Sequence, residues 1–358
     1  MRVQALQCFV VLAAAMAGCG ATSDPTDPFA PIPLEKMPPG RPLQTPTTVT
    51  EWKHAYGKGE IVRSRHYELF VSGVNPTLRA NLPGFLEAAY ENYQTLTGLT
   101  RQGSPPPLRA YMLASRREWV SLTKHIFGKK AAALSIGAGG YCYKGIGVYW
   151  DLRRRGTFSV ASHEGLHQFL YHRLRNPLPV FLEESLATLT EGFHMRKDSV
   201  VFLPKHNPRR LTDLRTSIIQ KRWFPVAKLM PMDGRDVVGG TTDRALGWYA
   251  QVWALAHFLR HDDLYRPGFK RMLADAAAGR FHVAMGVPRK ALATLQRRRR
   301  IYNRTVAAKL FKYYITADQP EFERRYVAFC RKLARLPAHD PPRAVTTKTP
   351  RGAREPDR

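Results

Sequence analysis

Two histidines four residues apart, with a glutamate directly after the first, constrain this chain more than any other feature. They are His163 and His167 in the run Ser159-Val-Ala-Ser-His-Glu-Gly-Leu-His-Gln-Phe-Leu-Tyr171. The apolar spacing around them predicts a helix from about residue 157 to 174, and residues four apart lie on one helical face. Both imidazoles can then reach a single Zn²⁺. Glu164 stands beside it, where a carboxylate can take a proton from a metal-activated water. That is the minimal equipment for hydrolysing a peptide bond. It also sets a demand, because a catalytic zinc usually keeps three protein ligands and one open position, so a third ligand must come from elsewhere.

The chain has 358 residues, 44% of them hydrophobic, enough for one large domain or two small ones. Strand-like alternation covers residues 60–73 and 107–113. A helix is expected from Asn75-Pro76 to Leu96, and a shorter one from Ser115, as N-cap, to Phe127. Gly137 to Asp151, rich in Gly and aromatics, reads as a hairpin. After the histidine helix, Asn176-Pro-Leu-Pro179 forces a break, since proline disfavours helix at the residue before it. A second helix is predicted from Val180 to Glu191, stopped by Gly192. Residues 194–243 read as loop-rich with a helix near 211–221, residues 244–260 as an apolar helix, and the remainder to Leu336 as mainly helical. Strands precede helices, so the expected class is α+β.

The second helix holds Phe181-Leu-Glu-Glu-Ser-Leu-Ala187. The pattern resembles the Trp-Leu-Asn-Glu-Gly-Leu/Phe-Ala segment of the gluzincins, the zinc peptidases that include thermolysin and the zinc aminopeptidases. Phe stands for Trp, Glu for Asn and Ser for Gly. The resemblance makes Glu184 the third zinc ligand, with sixteen residues between it and His167, and Glu183 its solvent-facing or second-layer neighbour. Glu191 also matches the aminopeptidase pattern and is expected to orient a ligand. The metzincin alternative requires Gly and His where this chain has Leu170 and Arg173, and His172 is one residue out of register.

Trp248-Tyr-Ala-Gln-Val-Trp-Ala-Leu-Ala-His-Phe-Leu259 is similar to a helix that follows the zinc helices in peptidase-like bacterial envelope proteins. By that resemblance Tyr249 is a candidate to stabilise the oxyanion, against a packed core tyrosine. His257, two turns on, reads as a satisfied helix histidine. In gluzincins the strand before the zinc helix binds substrate backbone at a sheet edge. Gly137–Tyr141 lacks the Glu with which aminopeptidases capture a free amino terminus, which favours an endopeptidase. The resemblance covers roughly residues 60–335. It implies a zincin-like metallopeptidase fold, with an N-terminal mixed sheet, the HExxH helix and a mainly helical C-terminal part.

The termini carry other signals. Arg2 and the apolar run Ala5–Ala17, too short to span a bilayer, read as a signal peptide over residues 1–18. Met16-Ala-Gly-Cys19 resembles the lipobox of bacterial lipoproteins, which would place a lipid on Cys19 and the protein at the cell envelope. The alternative is an ordinary cleaved signal with an incidental cysteine. Residues 19–58, rich in proline, are expected to be an extended tether, residues 59–337 the folded domain, and residues 338–358 a disordered tail.

A net charge of +28 predicts incidental affinity for anionic lipid or polyanions. The basic residues are scattered, and their one sharp cluster, Arg297–Arg300, has no interleaved aromatics. That argues against a specific nucleic-acid partner. Cys142 and Cys330 could form a disulfide or remain free thiols. Three functional readings follow. The chain is a zinc-dependent endopeptidase acting on peptide or protein substrates, an inactive zincin-fold binding or scaffold lipoprotein, or a polyanion-binding surface protein.

Overall fold

A computed structural model describes residues 7–8, 32–55, 57–100, 106–128, 139–233, 236–237 and 242–337. Strands come first: β1 (Gln7–Cys8), β2 (Arg41–Pro42), β3 (Thr48–His54), β4 (Gly57–Arg63) and β5 (Tyr67–Val71). Helix α1 (Pro76–Thr97) starts where expected. The Asn75 side chain accepts from the Thr77 and Leu78 N–H groups, and Pro76 fills the first helical position, where no N–H is needed. Strand β6 (Leu108–Leu113), helix α2 (Arg116–Phe127, capped by Ser115) and the hairpin of β7 (Gly140–Tyr143) and β8 (Ile146–Trp150) complete the N-terminal half.

One sheet runs in the order β1-β7-β8-β6-β5-β4-β3. The β5–β6 and β6–β8 pairs are parallel and the rest antiparallel, so the sheet is mixed. Along β8 the side chains alternate. Tyr149 joins the main core, whereas Val148 and Trp150 join Leu113, Trp119 and Tyr141 in a small cluster under α2 on the other face.

Helices dominate thereafter. Helices α3 (Arg154–Arg173) and α4 (Val180–Leu189) lead into the short strands β9 (Phe193–Met195) and β10 (Ser199–Phe202). They are followed by α5 (Pro208–Ile219), α6 (Val226–Leu229) and α7 (Thr242–His261). The chain ends in α8 (Arg266–Ala278), α9 (Phe281–Met285), α10 (Arg289–Gln296), α11 (Arg299–Tyr314) and α12 (Gln319–Leu333). The class is α+β, as its strand-then-helix order implied. Helix α3 packs on α1, β7 and β8 on one side and on α4 on the other, and α4 packs in turn on α7. Every residue of α4 is buried, as are Ala161–Leu170 of α3 and Gly247–Leu259 of α7. A helix buried all round leaves no polar face for solvent, so polar groups on α3 and α4 must satisfy one another.

Two contacts fix the α3 approach. Tyr93 Oη on α1 donates to Ser162 O at 2.8 Å, and Gly165 lies directly against that ring. A Cβ on Gly165 would stand 2.3 Å from Tyr93 Oη and 3.4 Å from Tyr67 Oη, both on fully buried rings. Gly165→Ala is therefore expected to destabilise the fold by about 1–3 kcal/mol, measured as a lower urea midpoint. Unchanged stability would show that α1 and α3 can separate freely.

Several expectations require correction. Residues 60–73 form not one strand but the arms β4 and β5. Their turn is locked by Glu87 of α1, which accepts from Ser64 Oγ, the His66 N–H and His66 Nδ1. The folded part begins before residue 59. Strand β2 pairs with β10, β3 pairs with β4, and Leu43 is buried against α1, where a Cβ on Gly84 would meet the Leu43 carbonyl oxygen at 1.9 Å. Within residues 194–243, β10 is held between β9 and β2 rather than in a loop. Sequence pattern misses the β2–β10 pairing because its partners lie more than 150 residues apart.

Cys142 on β7 and Cys330 on α12 are both free thiols. Apart from Gln7–Cys8, the expected signal peptide lies outside the described residues, as do Cys19 and the 338–358 tail. Among the described residues no helix is long and apolar enough to cross a membrane.

Candidate metal centre

The HExxH run lies in the middle of α3, and the Glu183-Glu184 pair lies in α4 against it. Ser162 Oγ donates to Thr190 O at 3.0 Å, which ties the histidine turn to the end of α4. The Nε2 atoms of His163 and His167 face the same carboxylate oxygen, Glu184 Oε2, at 3.4 and 3.7 Å. One ligand atom from each of the three residues falls within 4.8 Å of the others, and all three residues are buried. His172 is not among them. It is exposed at the end of α3, with Nε2 3.4 Å from Gly145 O.

Each imidazole is anchored from behind. His163 Nδ1 lies 2.9 Å from Glu191 Oε1, and His167 Nδ1 lies 3.1 Å from Glu183 Oε1. With the carboxylates accepting, the hydrogen is on Nδ1 and the Nε2 lone pair points to the shared centre, the arrangement that a metal ligand needs. The carboxylates are held in turn. Arg210 of α5 grips Glu191 with two bonds, Nε to Oε2 at 2.8 Å and Nη2 to Oε1 at 2.7 Å. Arg299, at the start of α11, donates through Nη2 to Glu183 Oε2.

The electrostatics follow from this packing. Glu191 is buried, which alone would raise its carboxyl. Arg210 and His163 outweigh burial and draw it down to about 2. Burial likewise opposes charge on the rings, but Glu184 and Glu191 raise His163, and Glu184 and Glu183 raise His167 well above its ordinary value. Glu164 is different. Burial pushes its carboxyl up to about 7, against the downward pull of His167 and His163. Glu183, Glu184 and Glu191 set against Arg210 and Arg299 leave an excess of one carboxylate, and Glu164 adds a second when it gives up its proton. The carboxylates attract positive charge to this point, as protons on the rings or as a cation held by them.

The donor set suits a metal. Two neutral imidazoles and one carboxylate, with bonds of about 2.0–2.2 Å in a tetrahedron, put neighbouring ligand atoms on the order of 3.3–3.5 Å apart. The observed 3.4 and 3.7 Å separations from Glu184 Oε2 approach that, and all three ligand atoms lie within 4.8 Å of one another. The buried His163-His167-Glu184 group can therefore bind a metal ion.

Tyr249, from α7, is buried close by. The Arg210 guanidinium stacks 5.1 Å from its ring centre, and burial, then Glu184, hold the phenol well above its usual range, so it keeps its proton. His257 stands apart from the metal group, and its Nε2 donates to Pro204 O at 3.0 Å.

Glu183 is buried rather than solvent-facing, and it orients His167. Arg210 and Arg299 were not legible as parts of the site. Arg299 belongs to the Arg297–Arg300 run, which the sequence offered only as part of a scattered basic excess with incidental polyanion affinity. Arg210 carries no local sequence signal, because its partner Glu191 is two elements away. No protein-family model matches the chain, and no curated protein or solved structure matches it.

Proposed function

We propose that the chain is a zinc-dependent endopeptidase of the gluzincin type, built on a zincin-like fold and held at the cell envelope through a lipid on Cys19. The observation that carries this reading is the convergence of His163, His167 and Glu184 on one buried point, with each imidazole oriented by its own carboxylate. Two imidazoles and a carboxylate are the ligand set of catalytic zinc, and three ligands leave a position open for chemistry. When bound there, the ion supplies Lewis acidity that activates water and polarises a carbonyl.

The residues of the chain do the rest. Glu164, with its carboxyl raised toward neutrality, takes the proton from the attacking water and passes it to the leaving amine. Tyr249, kept protonated, donates to the oxygen that gains charge in the transition state. Glu183 and Glu191 hold the histidine rings in place.

The outer edge of β7 pairs antiparallel with Gln7–Cys8, so it accepts an extended backbone. A substrate strand taking that place lies alongside α3, which packs on β7. The second reading, an inactive scaffold, would dispense with Glu164, which is nonetheless present and buried beside the ligands.

The test is metal analysis and proteolysis on the full chain. One equivalent of zinc is expected, with cleavage of an unfolded protein that stops on chelation and returns with zinc. Glu184→Gln is expected to lower zinc affinity by at least about 10-fold. Zinc without cleavage would leave the scaffold reading, and absence of zinc would sink both.

A further inference from the structure

A cavity of about 420 Å³ opens beside the metal group, with His167 and Glu183 in its wall. Its floor is largely apolar, with Leu170, Leu174 and Leu178, and four basic side chains stand among its lining residues. Lys144 comes from the β7–β8 turn, Arg175 from the segment after α3, and Arg297 and Arg299 from the junction of α10 and α11. These elements are distant in sequence, so the fold has gathered their charges. Glu183 is the one acidic residue lining the cavity, and it is already engaged by Arg299 and His167. Lys144, Arg175 and Arg297 are exposed, and no carboxylate pairs with any of them among the described residues. The nearest aromatic relation is Lys144 Nζ, 5.2 Å from the Tyr143 ring centre.

Three cations without a carboxylate partner among the described residues, set around a concave space, create a local positive potential beyond the general excess of the chain. We propose that this cavity makes the site selective for acidic polypeptide, with Asp or Glu side chains next to the cleaved bond meeting Lys144, Arg175 and Arg297. The proposal rests on the peptidase reading above. His167 and Glu183, the carboxylate behind its ring, line this cavity, whereas His163, Glu164 and Glu184 do not. The cationic rim therefore lies to one side of the metal group, and at about 3.3–3.6 Å per residue of extended chain it meets residues that flank the one held there. Cys142 and Tyr143 of β7 also line the cavity, which puts the strand-accepting edge and the cationic rim on one path.

The test measures binding and cleavage separately. Binding uses two labelled ten-residue peptides, one with four Glu and the other with Gln at the same positions, titrated into full-length zinc-loaded Glu164→Gln protein at 0.1 M salt. The acidic peptide is expected to bind about tenfold more tightly, as three weakly favourable exposed charge contacts together would give. Triple charge reversal at Lys144, Arg175 and Arg297 is expected to bring the ratio near one. The same reversal at Lys309, Lys312 and Lys332, exposed and away from the cavity, should leave most of the preference. Equal losses from the two triple variants would assign the attraction to net charge, as for any polyanion, and overturn the proposal. Equal binding of the two peptides would also overturn it. Cleavage by the native chain reports on the other reading. Cleavage without acidic preference removes this proposal alone, whereas acidic binding without cleavage of either peptide removes the peptidase reading and leaves an acidic-partner site.

Discussion

Glu164→Gln is expected to lower kcat/KM on a peptide substrate by about 10²–10⁴-fold while the protein keeps its full complement of zinc. The substitution preserves shape and removes only the ability to accept and return a proton. It leaves His163, His167 and Glu184 untouched, along with the carboxylates behind the two rings. Because burial already raises this carboxyl to about 7, a neutral amide suits the site, and Tm is expected to hold or rise. Steady-state kinetics with parallel metal analysis check this. Retained activity at full zinc occupancy would mean that another group moves the proton, and the assignment of Glu164 would fail.

Arg210→Met is expected to cost about 3–5 kcal/mol, because it strands the Glu191 carboxylate in the interior beside His163. For a domain of this size that corresponds to a Tm lower by on the order of 10 °C. Zinc affinity is expected to fall about 10–100-fold, since His163 loses the support that sets its tautomer. The double variant Arg210→Met with Glu191→Gln removes the stranded charge and is expected to regain part of the stability without regaining zinc affinity. Thermal unfolding and competitive zinc titration separate the two effects. Full zinc affinity in the single variant would show that Glu191 holds His163 without help.

The pair also predicts an acid limb. A carboxyl lowered to about 2 in the folded state contributes stability that is fully present above its unfolded pKa of about 4.3. That contribution is lost as pH falls toward 2, and Arg210→Met should flatten this part of the stability profile.

Local pattern carried much of this far. The caps at Asn75 and Ser115, the break before Pro177 and the helical spacing of α3, α4 and α7 are all short-range signals, because they act within one or two turns of chain. The same holds for His163, Glu164 and His167, whose common face is a property of any helix. Pattern failed where a partner lay far along the chain. The β2–β10 pairing, the division of residues 60–73 by Glu87, and the burial of Leu43 on α1 each depend on a segment that periodicity cannot bring near.

The amino-acid sequence by itself determined which groups could meet a metal: two histidines four apart, a glutamate between them, and a Glu-Glu pair on the next helix. Only the tertiary structure decided their roles. It buried α4 against α3, so that Glu184 faces both Nε2 atoms while its neighbour Glu183 turns to His167 Nδ1. It also carried Arg210 and Arg299 in from distant helices to hold the outer carboxylates. The physical reason is that charge in an interior must be paired, and the partner for a buried charge is chosen by packing rather than by position along the chain.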